Sequence, residues 1–229
     1  MGPVVRLTPP TSFRAVIFDL DGVIVDSEIW WDDVRRDWAA ARGRAWTERD
    51  RAAVMGANSI QWARTMRARL GVNDSVAAIE TAIVDGVIHR YRVEGPPRIE
   101  GAVEAVRRVA RQLPVAVATS AHRAVIDVAL EATGLDVVFA VVVSSDEVDA
   151  GKPAPDVYLL AAERLGIRPA DCLVVEDSLN GVRAARAAGM TVVLVPNRSV
   201  PPAPGAREAA DLVIERLADL DLAAMVRAR

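Results

Sequence analysis

Cysteine occurs once in the 229 residues, at Cys172, so no internal disulfide can form and the chain suits a reducing compartment. An apolar run follows Cys172, which reads as a buried thiol rather than a nucleophile. Lysine also occurs once, at Lys152, among 28 basic side chains; every other one is arginine. Neither sign of charge dominates. The formal net charge is -3, and there is no acidic tail and no basic stripe of the kind nucleic-acid binders carry. Arg64, Arg67 and Arg69 are interspersed with apolar residues, as on the wet face of a helix. The longest apolar run, residues 137–143, is far too short to span a bilayer. Pro3, Pro9 and Pro10 interrupt any apolar core that a signal peptide would need. The expectation is a monomeric cytoplasmic protein that binds neither nucleic acid nor membrane.

What is present is a rhythm. Just over half the residues, 52%, are hydrophobic, enough for a sizeable core. Short, nearly continuous apolar runs at 15–20, 114–118, 137–143, 173–175 and 191–195 read as strands buried on both faces. Helix-like stretches at 102–112, 124–133, 156–165 and 181–188 alternate with them, and Gly134, Gly166 and Gly189 follow three of these. The pattern predicts an α/β fold with a parallel, Rossmann-like sheet and right-handed crossovers. A short sixth strand at 212–214 and a last helix at 217–226 are expected, with a proline-rich loop at 200–205. Residues 26–94 break the rhythm. They read as helices at 29–41, 48–54, 59–70 and 75–93, an α-helical cap domain inserted into a core of residues 1–25 and 95–229. All five tryptophans fall in this insertion. Trp38, Trp46 and Trp62 are expected to fill its small core, His89 to be a structural residue of a cap helix, and at least one of Trp30 and Trp31, just after the aspartate loop, to face the site.

Four segments end strand-like runs, where a parallel α/β sheet places its ligands. Asp19 and Asp21 lie one residue apart, ahead of Gly22. Residues i and i+2 of a strand share a side, so these carboxylates repel unless a cation lies between them. A hard, oxygen-loving ion such as Mg2+ suits them. Thr119-Ser120 offers hydroxyls beside the N–H groups of a following helix, an anion seat. Lys152 delivers a compact point charge where a guanidinium fork would be too wide. Glu176-Asp177 ends the run before it, with Ser178 after. Alone, Asp177 reads as a helix cap and Thr119 as an ordinary strand end. Together the four segments meet the requirements of phosphoryl transfer.

On these residues the chain resembles the haloacid dehalogenase superfamily of phosphohydrolases over essentially its whole length. Asp26-Ser27-Glu28 and the run from Glu176 to Gly181 make it similar to the branch of β-phosphoglucomutase and small sugar-phosphate phosphatases. The resemblance implies a Rossmann-like core with an inserted helical cap, and Mg2+ as cofactor. It implies Asp19 as the nucleophile that forms an aspartyl-phosphate. Asp21 is then the acid and base, and Thr119 and Lys152 hold the phosphoryl group. The metal is held by Asp19, the Asp21 main-chain carbonyl, Asp177 and Glu176, the last directly or through water. Candidate substrate contacts are Glu28, Trp31, Arg35, Asn58, Ser59, Ser120 and His122.

Departures from the mutase pattern matter as well. Trp31 stands where the mutase has histidine, and the basic residues of its cap loop are missing around Val54–Ser59, although Gly56 is kept. Ala121 and His122 replace its serine and lysine after Thr119. With no cap cations expected, the reading is a Mg2+-dependent phosphatase of a small phosphorylated metabolite, a sugar or polyol phosphate. A phosphosugar mutase is the runner-up, and a catalytically silent binding protein on the same fold is the non-enzyme alternative. A dehalogenase is disfavoured, because carbon chemistry has no use for the extra acids.

Overall fold

The computed structural model describes residues 13–223. Pro3, Pro9 and Pro10 lie outside them. Strand β1 (Ala15–Phe18) is followed by helices α1 (Glu28–Ala40), α2 (Glu48–Val54), α3 (Ser59–Leu70) and α4 (Val76–Glu94). Then come α5 (Ala102–Ala110), β2 (Val115–Thr119), α6 (Arg123–Thr133) and β3 (Val141–Ser144). The chain continues through α7 (Asp156–Leu165), β4 (Cys172–Glu176), α8 (Leu179–Ala187), β5 (Thr191–Leu194), α9 (Ala206–Ala209) and β6 (Leu212–Val213). Among the described residues no helix is long and apolar enough to cross a membrane.

The six strands form one parallel sheet in the order β3-β2-β1-β4-β5-β6. Helices cover both faces, which is why the strands read as continuous apolar runs. In β1, Val16 and Phe18 enter the cluster with Val106, Val109, Ile126 and Leu130 of α5 and α6. Ala15 and Ile17 enter the opposite cluster with Tyr158, Ala161, Val182 and Ala185 of α7 and α8. β1 is central, and the strand order reverses between it and β4. The carboxyl ends of β2, β1 and β4 are therefore adjacent at the crevice where such sheets bind ligands.

The four helices between β1 and β2 are started by local chemistry. Thr47 and Asp50 form a reciprocal cap at α2, Asn58 and Gln61 at α3, and Ser75 caps α4. All five tryptophans are buried. Trp38, Trp46 and Trp62 belong to the apolar cluster as expected, and that cluster runs without a break from α1, α3 and α4 onto the sheet face beneath α5 and α6. The segment enters and leaves at one crossing: Val25 bridges Arg98, and the Asp26 N–H donates to the Pro97 carbonyl at 2.8 Å.

Some expectations need correction. The apolar run at 137–143 gives a strand only from Val141; Val137 is exposed, and Phe139 turns inward edge-on to Phe18. Residues Leu217–Asp219 form a single 3-10 turn and Leu220 is extended, so no helix begins at 217, and the part of that expected helix beyond Ala223 lies outside the described residues. Arg216 accounts for the turn, because its guanidinium pairs with Asp219 at 2.7 Å across it.

α1 and α4 approach closely at Gly86, where a Cβ would lie 2.6 Å from Cγ1 of Val34. Gly86→Val is expected to destabilise the fold by about 1–3 kcal/mol, the usual cost of overpacking, despite its better helix propensity. Urea unfolding checks this; an unchanged or raised midpoint would show that the two helices can separate freely.

Candidate active site

The site starts at the end of β1. The Asp19 N–H donates to the Val175 carbonyl at 2.9 Å, which fixes Asp19 just beyond the strand. The chain then turns tightly, with the Ile24 and Val25 N–H groups both returning to the Leu20 carbonyl. Gly22 has φ +82°, and a Cβ there would lie 2.1 Å from Oδ2 of Asp177. Both its left-handed backbone and its missing side chain are therefore used.

Lys152 is 6% exposed and reaches the strand ends from the loop before α7. Its ammonium donates to Asp19 Oδ1 at 2.7 Å, Glu176 Oε1 at 2.6 Å and the Ala118 carbonyl at 3.2 Å. All three donor positions of the ammonium are thus filled. Glu176 is fully buried and fully engaged. Tyr158 donates to Oε1 at 2.7 Å, and Oε2 accepts from the Asp177 and Ser178 N–H groups and the Ser178 hydroxyl. Asp177 does not cap α8; Ser178 does, accepting from Gly181 N–H, so the Asp177 carboxylate is left beside Asp19.

Asp21 lies on the other side of Asp19, held by the cap-side segment. Ser27 donates a short hydrogen bond to its Oδ1, and the Trp31 indole N–H donates to the same oxygen at 3.3 Å. Thr119 is buried at the end of β2, and Ser120 donates to the Gly56 carbonyl at 3.0 Å. These groups open onto a cavity of about 390 Å³, which Asp19, Asp21, Glu28, Thr119, Lys152 and Asp177 all line. Trp31 and Arg35 line a smaller space next to it, with Asp21 and Glu28 shared between the two.

Asn58 and Ser59 are not brought into either space. Asn58 caps α3, and Ser59 bonds Asp146 through both its N–H and its hydroxyl. His122 also stands apart as the cap of α6, its Nδ1 accepting from Ala124 N–H at 3.2 Å. It groups with Glu80 and Asp146 at metal-like spacing, but an accepting Nδ1 leaves the proton on Nε2, and the Asp146 carboxylate is already taken.

The sequence reading missed several lining residues. Arg51 and Glu48 of α2 face the large cavity, and the segment Val200–Pro204 forms its apolar wall. That wall is anchored by Asn197, which donates to Asp26 at 2.9 Å and accepts from Val200 N–H. Its position directly after β5 was the available signal. The expectation that the cap side offers no cation is also overturned: Arg35 and Arg51 supply it from helices α1 and α2 rather than from the loop between α2 and α3.

The electrostatics are those of a cluster short of positive charge. Burial pushes Asp19 up to about 8 against the pull of Lys152, with Glu176 and Asp21 adding to the rise. Burial also raises Asp21, and it raises Asp177 well above the usual carboxylate range together with the Glu176 and Asp19 charges. Burial would raise Glu176 too, but Lys152 and Tyr158 hold it below its ordinary value. Lys152 is raised, since the two carboxylates outweigh its own burial. Burial, with Asp21 nearby, pushes Glu28 up to about 7. Oxygens of Asp19, Glu176 and Asp177 lie within 4.8 Å of one another, so this all-oxygen, excess-negative set fits a hard divalent cation.

A family model described as haloacid dehalogenase-like hydrolase matches residues 13–189. The chain is 32% identical over 192 residues to the fructose-1-phosphate phosphatase YqaB of Escherichia coli, covering 79% of this chain and 95% of that protein. It is 33% identical over 209 residues to the bifunctional riboflavin kinase/FMN phosphatase of Arabidopsis thaliana, covering 90% of this chain but 54% of that longer protein. Among solved structures, a putative β-phosphoglucomutase from Thermotoga maritima superposes with a TM-score of 0.68 at 30% identity, covering 90% of this chain and 95% of that one.

Two outcomes follow from this geometry. Lys152→Arg should damage turnover nearly as much as Lys152→Ala, because a planar fork cannot place three donors around Asp19, Glu176 and Ala118. Near-normal kcat/KM in the arginine variant would reduce the single lysine to coincidence. The second outcome is a pH dependence of stability. A carboxyl kept protonated in the folded chain but free to ionise in the unfolded one favours folding at low pH. That contribution is complete below about pH 4 and is lost as pH rises through the folded values, about 7 for Glu28 and about 8 for Asp19. In chelator, Tm should therefore fall between about pH 5 and pH 8, and saturating Mg2+ should flatten the fall. A metal-free Tm that is level or rising over that window would contradict the charge imbalance.

Proposed function

Because the chain belongs to the haloacid dehalogenase-like hydrolases, we propose that it is a Mg2+-dependent phosphatase of a small phosphorylated metabolite, working through an aspartyl-phosphate on Asp19. It is a phosphohydrolase of that family; the metal, the residue roles and the substrate class are our reading. Residues 26–94 act as the cap and the remainder as the catalytic core. The observation that carries the reading is the buried Asp19–Lys152–Glu176 chain with Asp177 beside it, opening on one cavity.

In this reading Lys152 holds Asp19 Oδ1 and leaves the second carboxylate oxygen for attack on phosphorus. Thr119 and Ser120 receive the phosphoryl oxygens, and the Lys152 ammonium, its three donors already taken, contributes its charge beside them. The ester P–O bond breaks as the Asp19–phosphorus bond forms, and Asp21 gives its proton to the leaving oxygen. Its raised pKa favours the protonated start that this step needs. Ser27 and Trp31 fix Oδ1, which leaves the other oxygen to exchange the proton. Asp21 next removes a proton from water, the water attacks the phosphorus, and inorganic phosphate leaves while Asp19 is restored. Asp19, Asp177 and the Asp21 main-chain carbonyl would hold Mg2+, with Glu176 reaching it through water because its own oxygens already accept hydrogen bonds. When bound, the metal would supply charge that cancels repulsion between the carboxylate and the phosphoryl group.

The cations Arg35 and Arg51 revive the mutase as a second reading, since they give a second phosphate somewhere to bind. Hydrolysis is still favoured by Trp31, whose indole has no basic nitrogen to move a proton. Phosphorus NMR of β-glucose 1-phosphate with a trace of bisphosphate separates the two. Free phosphate should dominate; glucose 6-phosphate accumulating faster would make the mutase correct. Asp19→Asn should abolish release of p-nitrophenol from its phosphate ester, and more than a few per cent residual turnover would remove Asp19 from the nucleophile's place.

A further inference from the structure

Arg35 is a cation that this chemistry leaves unused. Its guanidinium carbon lies 5.2 Å from the ring centroid of Trp31 and 5.2 Å from that of Trp62. The residue is 7% exposed, and its Nε finds no hydrogen-bond partner. Among the described residues no carboxylate forms an ion pair with it. The nearby acids are committed or stand off: Asp21 is held by Ser27 and Trp31, Asp32 by Arg36 and Trp46, and Glu28 lines the same space without pairing to Arg35. Burial lowers the guanidinium only to about 10, so it stays charged at neutral pH. A buried charge without a partner is costly, and such groups are normally paired.

The surroundings indicate what pairs with it. The indoles of Trp31 and Trp62 offer cation–π contact, and Arg35 lines a space of about 40 Å³ that also touches Asp21, Glu28, Gly56 and Ser120. One water needs roughly 15 Å³, so the space takes a group of a few atoms. A guanidinium edge matches a carboxylate in two parallel hydrogen bonds. Asp21 borders both this space and the main cavity. A phosphoryl group at Asp19 would therefore have its ester oxygen at Asp21, and Arg35 lies next beyond. Resting on the phosphatase reading above, we infer that the substrate is a short phosphomonoester with a carboxylate close to the ester oxygen, and that Arg35 binds this carboxylate.

A matched pair of esters tests this. 2-Phosphoglycolate carries the carboxylate, 2-hydroxyethyl phosphate lacks it, and ethylene glycol bisphosphate replaces it with a second phosphate. The wild type should prefer the carboxylated ester over the neutral one by at least about tenfold in kcat/KM, as expected for a charged hydrogen-bonded pair. Arg35→Met should bring that ratio close to one. Arg35→Lys, which keeps the charge and tests the site should the methionine variant fold poorly, should lower the ratio severalfold. A wild-type ratio near one, a ratio that neither substitution changes, or a preference for the bisphosphate would overturn the inference. Trp31 and Trp62 provide a second readout. 2-Phosphoglycolate should change the intrinsic fluorescence saturably in the wild type and not in Arg35→Met; no saturable change, or the same change in both, counts against Arg35. If the wild type hydrolyses neither ester nor p-nitrophenyl phosphate with Mg2+, the phosphatase reading falls, and this titration alone decides whether Arg35 binds the carboxylated ester.

Discussion

One ammonium shared by two buried carboxylates sets the terms for the rest of the molecule. Lys152 can be buried only because Asp19 and Glu176 meet it at 2.7 and 2.6 Å, and its charge in turn holds Glu176 below the ordinary carboxylate range. The three residues come from three distant parts of the chain. They converge because β1 lies between β2 and β4, and because the loop before α7 passes over the ends of those strands. Tyr158 and the first N–H groups before α8 saturate Glu176, which makes it the anchored end of the chain of contacts.

The two aspartates of the β1 turn are controlled from different directions. Asp19 is fixed by the sheet and Lys152. Asp21 takes its hydrogen bonds from Ser27 and Trp31, at the entry to the helical segment. The same segment carries Arg51 and Met55 to the cavity and Arg35 to the smaller space beside it, while the proline-rich stretch after β5 supplies another wall of the cavity. In the proposed mechanism the nucleophile therefore sits at a strand end, while helix faces and a loop line the space left for the leaving group.

The sheet was legible because its strands are buried on both faces, and that condition writes itself as unbroken apolar runs. The same criterion failed at Val137, where an apolar residue on a turn sits in solvent while Val138 and Phe139 pack inward without forming a strand. The residues at the strand ends were legible because their chemistry is local: a carboxylate pair, a hydroxyl, a single lysine. The role of Val200–Pro204 was not, since prolines announce a loop but not what the loop lies over. Arg51 was missed for a related reason. On α2 it also pairs with Glu48 at 2.6 Å, the pattern of an ordinary solvated helix face, and only the packing of α2 over the crevice makes that face an inner wall.

The helical segment departs from β1 and returns toward α5 at a single crossing, where Val25 bridges Arg98 and Asp26 bonds Pro97. To the sheet, such an excursion is equivalent to a long loop, because its two ends are tied together at its base. The inserted helices can then change in length without disturbing the register of the six strands. A change confined to the insert would then alter what lines the cavity while leaving Asp19, Lys152 and Glu176 where the strand ends place them.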